Sequence, residues 1–134
     1  TNELFERHKR RFSFGVPESI YVFLSTQPAD LPCDASELAV YDGDRLVAIS
    51  YFDEGEATTS GVYACFDPDM PDRGLGIYTM LKEIEYSIET GRRYYYPGFA
   101  YEGPSFYDYK KNFHGLEAYD WRGRWHPFAR GGRP

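Results

Sequence analysis

The segment from Tyr63 to Tyr101 constrains the fold most. It is entered by an apolar strand, Thr58 to Phe66, in which Val62, Ala64 and Phe66 alternate with Tyr63 and Cys65 across two faces. A loop with prolines and glycines follows, from Asp67 to Gly76. Residues 75–90 then read as the best helix of the chain. Ile77, Leu81, Ile84 and Ile88 form one apolar stripe, and Lys82, Glu83 and Glu89 are expected to face water. Gly91 stops the helix. A second strand, Tyr94 to Phe99, is interrupted at Pro97-Gly98. Strand, Gly-bearing turn and helix start together suit an anion or an acyl donor. Glycine admits close backbone approach, and the helix start offers unpaired N–H groups and a positive dipole end. Arg73, Gly74, Leu75 and Gly76 are therefore the donor-binding candidates, with Arg73 suited to pair with phosphate or with an acidic acceptor residue.

Around this segment the pattern predicts a basic helix over 2–12, with Leu4, Phe5, His8 and Phe12 on one face. Pro17 starts a second helix whose apolar side is Ile20, Tyr21, Phe23 and Leu24. Gln27 to Asp34 is a loop with two prolines. Glu37 to Tyr41 and Leu46 to Asp53 form a hairpin across Asp42-Gly43-Asp44-Arg45. Pro104 to Phe113 reads as a short helix. Leu116 to Tyr119 and Arg122 to Trp125 read as a terminal hairpin across Asp120-Trp121. The expected organisation is one domain, residues 1–134, with α+β layers: a central, mostly antiparallel sheet flanked by helices. This element order resembles the Gcn5-related N-acetyltransferase (GNAT) fold without a clear first strand.

A closer resemblance lies in F-D-P-D-x-P, from Phe66, then L-G-I-Y at Leu75 to Tyr78, E-T-G at Glu89 to Gly91, and Y-Y-Y-P-G-F at Tyr94 to Phe99. Phe106-Tyr107-Asp108-Tyr109-Lys110 partly reproduces a K-M-x-Y-K segment, and Glu3-Leu4-Phe5 with Arg7 resembles E-L-Y-x-R. The whole is similar to the C-terminal domain of aminoacyl-tRNA–protein transferases, the arginyl- and leucyl-transferring enzymes of the N-degron pathway. Pro97 replaces a usual Leu and Gly115 a usual Pro. The family's Cys-rich N-terminal domain has no counterpart in these 134 residues.

The resemblance implies transfer of Arg or Leu from an aminoacyl-tRNA to the N-terminal amine of a protein or peptide, acidic N-termini among the candidates, with no cofactor. An ester is already activated, so the protein must position reactants, move a proton and stabilise an oxyanion. The implied catalytic residues are Tyr107 and Tyr109, as proton donors to the leaving hydroxyl, and Lys110, near donor phosphate. Tyr94 and Tyr96 share a strand face that can stack the terminal adenine. The alternatives are an acetyl-CoA-dependent N-acetyltransferase, disfavoured because Pro71 stands where that class usually places Arg or Gln, and a non-catalytic binding module.

Charge and composition exclude other classes. A net charge of -6 argues against generic nucleic-acid coating. The two ends are nonetheless basic: Arg7, Lys9, Arg10 and Arg11, then Lys110, Lys111, Arg122, Arg124, Arg130 and Arg133. No apolar run approaches the roughly 20 residues of a membrane span, and no apolar signal segment opens the chain, so a cytoplasmic protein off the membrane is expected. Cys33 and Cys65 are far apart, and His8, His114 and His126 lack ligand spacing, so no metal is expected. Oligomeric state is not legible from this pattern.

Overall fold

The computed structural model describes residues 1–27, 29 and 33–128. The chain forms two compact units, Thr1–Gly98 and a second beginning at Phe99. The predicted loop at 27–34 falls partly outside the described residues, as do Arg130 and Arg133.

The first unit is an α+β sandwich. Helix α1 (Asn2–Lys9) precedes strands β1 (Ala35–Asp42), β2 (Arg45–Glu54) and β3 (Thr58–Phe66). Helix α2 (Leu75–Glu89) leads to β4 (Tyr94–Tyr96). The sheet order is β1-β2-β3-β4, antiparallel except for the β3–β4 pair. β2 is the central buried strand, with Val47 through Phe52 all inaccessible. On one side Ile49, Tyr51 and Cys65 pack with Leu4 and Phe5 of α1 and with Ile20 and Leu24. On the other, Val47 and Ala48 pack with Leu75 at the start of α2. Val47 reaches that side through a bulge: Val40 pairs with Ala48 and Tyr41 with Leu46, leaving Val47 as the extra residue.

One carboxylate ties these parts together. Asp67 follows β3, and its side chain has no exposed surface. Its Oδ1 accepts from Arg7 of α1 at 2.6 Å and from the Asp69 N–H at 3.0 Å. Its Oδ2 accepts from Arg45 at the start of β2. Arg7 also donates to Asp69 at 2.7 Å. A buried carboxylate needs this density of donors, because water can supply none.

The second unit carries a 3-10 turn (Asp108–Asn112) and the hairpin β5 (Glu117–Tyr119) and β6 (Trp125–Pro127). Among the described residues no helix is long and apolar enough to cross a membrane.

Several expectations change. The second helix is a single 3-10 turn, Ile20–Val22, opened by Ser19, whose Oγ accepts the Tyr21 N–H. β-Branched Ile20 and Val22 have little helix propensity to extend it, and polar residues follow Leu24. The strand at 94–99 ends at Tyr96, because Pro97 has no N–H for a ladder. The helix at 104–113 reduces to the 3-10 turn. Its Asp108 carboxylate is held by Ser105 and Lys111, which also lower its pKa, Lys111 most. The last strand starts at Trp125, since Asp120 accepts from the Arg122 and Arg124 N–H groups and keeps 120–124 as a loop.

The largest correction is the orientation of α2. Its buried residues are Leu75, Thr79, Met80, Glu83 and Ser87. Ile77, Leu81 and Ile88 are exposed, Ile88 by 72%. At 3.6 residues per turn the two rows lie about 130° apart. The sheet meets α2 with polar partners: Thr59 Oγ1 lies 2.5 Å from Ser87 Oγ, and Tyr95 donates to Glu83 at 2.5 Å. Hydrogen bonds, not apolar contact, select the inner face, and Glu83, expected in water, is buried.

Replacing Asp67 with Ala is expected to destabilise the protein by about 3 kcal/mol in urea unfolding, from lost charge-assisted bonds. Arg45→Ala is expected to cost less, because the Arg45 side chain is more than half exposed. Equal midpoints for the two variants would deny Asp67 this role.

Candidate functional site

The sheet opens beside β3. β4 pairs with β3 only at Thr58–Tyr94, Thr59–Tyr95 and Ser60–Tyr96. Beyond Ser60 the β3–β4 ladder does not continue among the described residues. The departure coincides with a bulge on its other side. Tyr51 pairs with Tyr63 and Phe52 with Gly61, so Val62 is the extra residue. Bulges re-aim backbone groups and end pairing, often next to active sites.

Past the bulge, backbone directions follow from the antiparallel ladder. The Asp67 N–H bonds to Val47 O at 2.8 Å, toward β2. Alternation then turns the N–H and C=O of Ala64 and Phe66 toward the open side. His8 of α1 occupies the Phe66 position, with Nδ1 3.1 Å from both Phe66 N and O. His8 is buried, and that burial, with the nearby Arg11 charge, lowers its pKa below the ordinary 6.5, against the raising effect of the Phe66 backbone bond.

The floor of the opening is polar. A Cβ placed on Gly61 would lie 3.0 Å from Tyr95 OH and 3.2 Å from Glu83 Oε2. Glycine therefore lets β3 pass directly over the Glu83–Tyr95 bond. Sequence reasoning missed Glu83. Its one sign was the row Thr79, Glu83, Ser87, spaced by four residues on one helix side.

The loop candidates fall at the end of β3. Gly74, with φ +58°, ends a 3-10 turn (Pro71–Arg73) and is the N-cap of α2, which has no side-chain cap. Ile77 and Tyr78 N–H bond to Gly74 O, which leaves the Leu75 and Gly76 N–H groups at the positive end of the helix. The Leu75 side chain is core, so only its backbone is suited to a ligand. Gly76 lies against the Phe66 ring: a Cβ there would be 3.1 Å from it. Arg73 is exposed. Tyr94 and Tyr96 are exposed on β4, while Tyr95 turns inward to Glu83. Cys65 is fully buried, and burial pushes its thiol up to about 12, so it is not a thiolate at neutral pH.

Tyr107, Tyr109 and Lys110 belong to the second unit. In a 3-10 turn residues three apart eclipse, and Lys110 Nζ lies over the Tyr107 ring, 5.1 Å from its centroid. Tyr109 lies on a different side of the turn. Lys110 Nζ also reaches Phe99 O at 3.4 Å.

The family expected from the motifs is the family matched. The model for the arginine-tRNA-protein transferase C terminus matches residues 2–120, and the chain belongs to that family. The aspartate/glutamate leucyltransferase of Stenotrophomonas maltophilia strain K279a is 42% identical over 90 residues, 66% of this chain and 36% of that protein. The enzyme of the same name from Xanthomonas campestris pv. campestris strain B100 is 38% identical over 82 residues, 59% of this chain and 32% of that protein. The chain thus spans about a third of the length of these curated relatives.

Two outcomes test the geometry at the opening. Gly61→Ala is expected to destabilise by about 1 kcal/mol or more, because the Glu83–Tyr95 pair is bonded and buried and must give way; a neutral or stabilising result in chemical denaturation would show that the pair yields freely. For His8, the unfolded chain takes up a proton near pH 6.5 that the folded chain resists. Stability present above that pH is lost as pH falls from 6.5 toward the lower folded value. Thermal melting between pH 7.5 and 5.5 should show this loss in the wild type and a flatter profile in His8→Asn, which keeps an acceptor without the titration.

Proposed function

We propose that this domain transfers an amino acid from an aminoacyl-tRNA to the N-terminal amine of a protein or peptide, on a GNAT-like scaffold. Membership of the transferase family supports the reaction class. The observation that carries the reading is the opening of the sheet: β3 is bulged at Val62 and unpaired toward β4 after Ser60, next to the uncapped start of α2. An edge with outward backbone groups can hold an extended donor, and a helix start can hold its anionic part.

In the reaction the acceptor nitrogen bonds to the ester carbonyl carbon. The bond from that carbon to the tRNA ribose oxygen breaks, and the amine proton ends on that oxygen. Tyr107 and Tyr109 are our candidates to deliver the proton, and Lys110 to contact phosphate or orient Tyr107. Arg73 and the Leu75 and Gly76 N–H groups are candidates for the donor, and Tyr94 and Tyr96 for stacking its terminal base. The relatives' names include aspartate, glutamate and leucyl. We therefore favour Leu as the transferred group and acidic N-termini as acceptors, which would make this a step in N-degron formation. A tRNA donor fits a cytoplasmic setting.

The test is mass spectrometry of reporter peptides that start with Asp, Glu, Lys or Ala. Each is incubated with the protein, leucyl- or arginyl-tRNA, and acetyl-CoA. The expected result is an added leucyl mass on the Asp and Glu peptides, reduced about tenfold or more in rate by Lys110→Ala with the fold intact. An acetyl mass would replace this reading with acetyltransfer, and full activity of Lys110→Ala would remove that residue from the site.

A further inference from the structure

Both tryptophans of the chain, Trp121 and Trp125, lie on the β5–β6 hairpin, and the reaction above uses neither. They are not core residues. Trp121 is 75% exposed and Trp125 49%, and their neighbours Phe99 and Tyr119 are 77% and 37% exposed. The rings still meet one another. Phe99 and Trp121 stack with centroids 6.0 Å apart and planes 12° apart. Tyr119 stands edge-on to Trp121 at 5.5 Å and tilts against Trp125 at 5.2 Å. The result is an open row of four aromatic rings.

The backbone works against easy explanations of this row. Trp121 has φ +58°, and it is the one residue other than glycine with positive φ among the described residues. A bulky side chain rarely sits there, where Gly or Asn fits readily. Asp120 holds the loop in place: its carboxylate takes the N–H groups of Arg122 and Arg124 and lies 3.0 Å from His126 Nε2. A strained backbone that displays an indole in water points to a ligand.

We propose that this hairpin is a stacking platform for unpaired nucleotides of RNA; given a tRNA donor, as proposed above, these are the unpaired bases that precede the terminal one at the 3′ end bearing the amino acid. Every base has a π-face, so a row of rings binds single strands with little sequence preference. Exposed Arg122 and Arg124 lie between the two tryptophans in the chain and suit the intervening phosphates. Over residues 99–128, Lys110, Lys111, Arg122 and Arg124 are balanced by Glu102, Asp108, Glu117 and Asp120. Stacking, not bulk charge, therefore carries the binding. An acidic peptide could use the arginines but has no use for the row of rings.

Tryptophan fluorescence reports on this hairpin alone, since it holds both tryptophans. The probe is a short single-stranded RNA ending in C-C-A, compared with the same sequence in a duplex and with a peptide starting with Asp. We expect saturable quenching by the single strand only. Trp121→Phe should keep the affinity, measured by anisotropy of labelled RNA, and Trp121→Asn, which suits the backbone, should weaken it about tenfold. With two phosphate contacts, log K should fall with log salt at a slope of about -1.4. No quenching by the single strand, equal quenching by the duplex, quenching by the peptide alone, or unchanged affinity in Trp121→Asn would each overturn the proposal. Transfer assays on the same preparations separate the two readings. Transfer without quenching rejects the platform alone, and quenching without transfer rejects the proposed reaction while leaving the platform.

Discussion

The first unit depends on a carboxylate that water cannot reach. Asp67 has no exposed surface, yet it lies where the chain leaves the sheet for the loop before α2. Arg7 arrives from the N-terminal helix and Arg45 from the first position of β2. The three come from distant parts of the sequence, so the ion cluster can form only when α1, β2 and the end of β3 have met. Ion pairing of this kind contributes more to the choice of one arrangement than to net stability, because desolvation offsets much of the attraction. It sets where the Asp69–Gly74 loop begins, and so where α2 starts.

The same economy of parts shapes the open edge. β4 could have continued beside β3, but Pro97 ends it and the bulge at Val62 turns the neighbouring backbone. A free sheet edge is a liability. Here part of it is answered by His8, which meets the backbone of Phe66. Beneath it, Glu83 is buried under Gly61 with the Tyr95 hydroxyl as donor. The opening thus has a polar floor, a capped far end and a helix start nearby, an arrangement suited to an extended polar ligand.

Legibility followed the range of the interactions. The β1–β2 hairpin was readable because alternation and the Asp42-Gly43-Asp44-Arg45 turn are local signals, and β3 and the limits of α2 were readable for the same reason. The motifs also led to the family, since they are spread from Glu3 to Lys110, within the 2–120 span that its model matches. The inward face of α2 was misread because apolar spacing favoured Ile77, Leu81 and Ile88 over a row containing Thr79, Glu83 and Ser87. The role of Asp67 was invisible, since a loop aspartate next to proline reads equally well as a turn residue. Trp121 gave no warning of its positive φ, which Asp120 and the loop impose.

By itself, then, the sequence determined the order of the strands and of the two α-helices, the α+β class, the hairpin turn after β1 and the family. These rest on side-chain periodicity and on backbone preferences that act over a few residues. Tertiary structure alone decided which face of α2 is buried, that Glu83 and Asp67 lose their water, where the sheet opens, and that Tyr107 and Lys110 share one side of a turn while Tyr109 does not. Each of those outcomes requires a partner supplied by another segment or a backbone geometry settled by its surroundings, and local spacing carries no information about either.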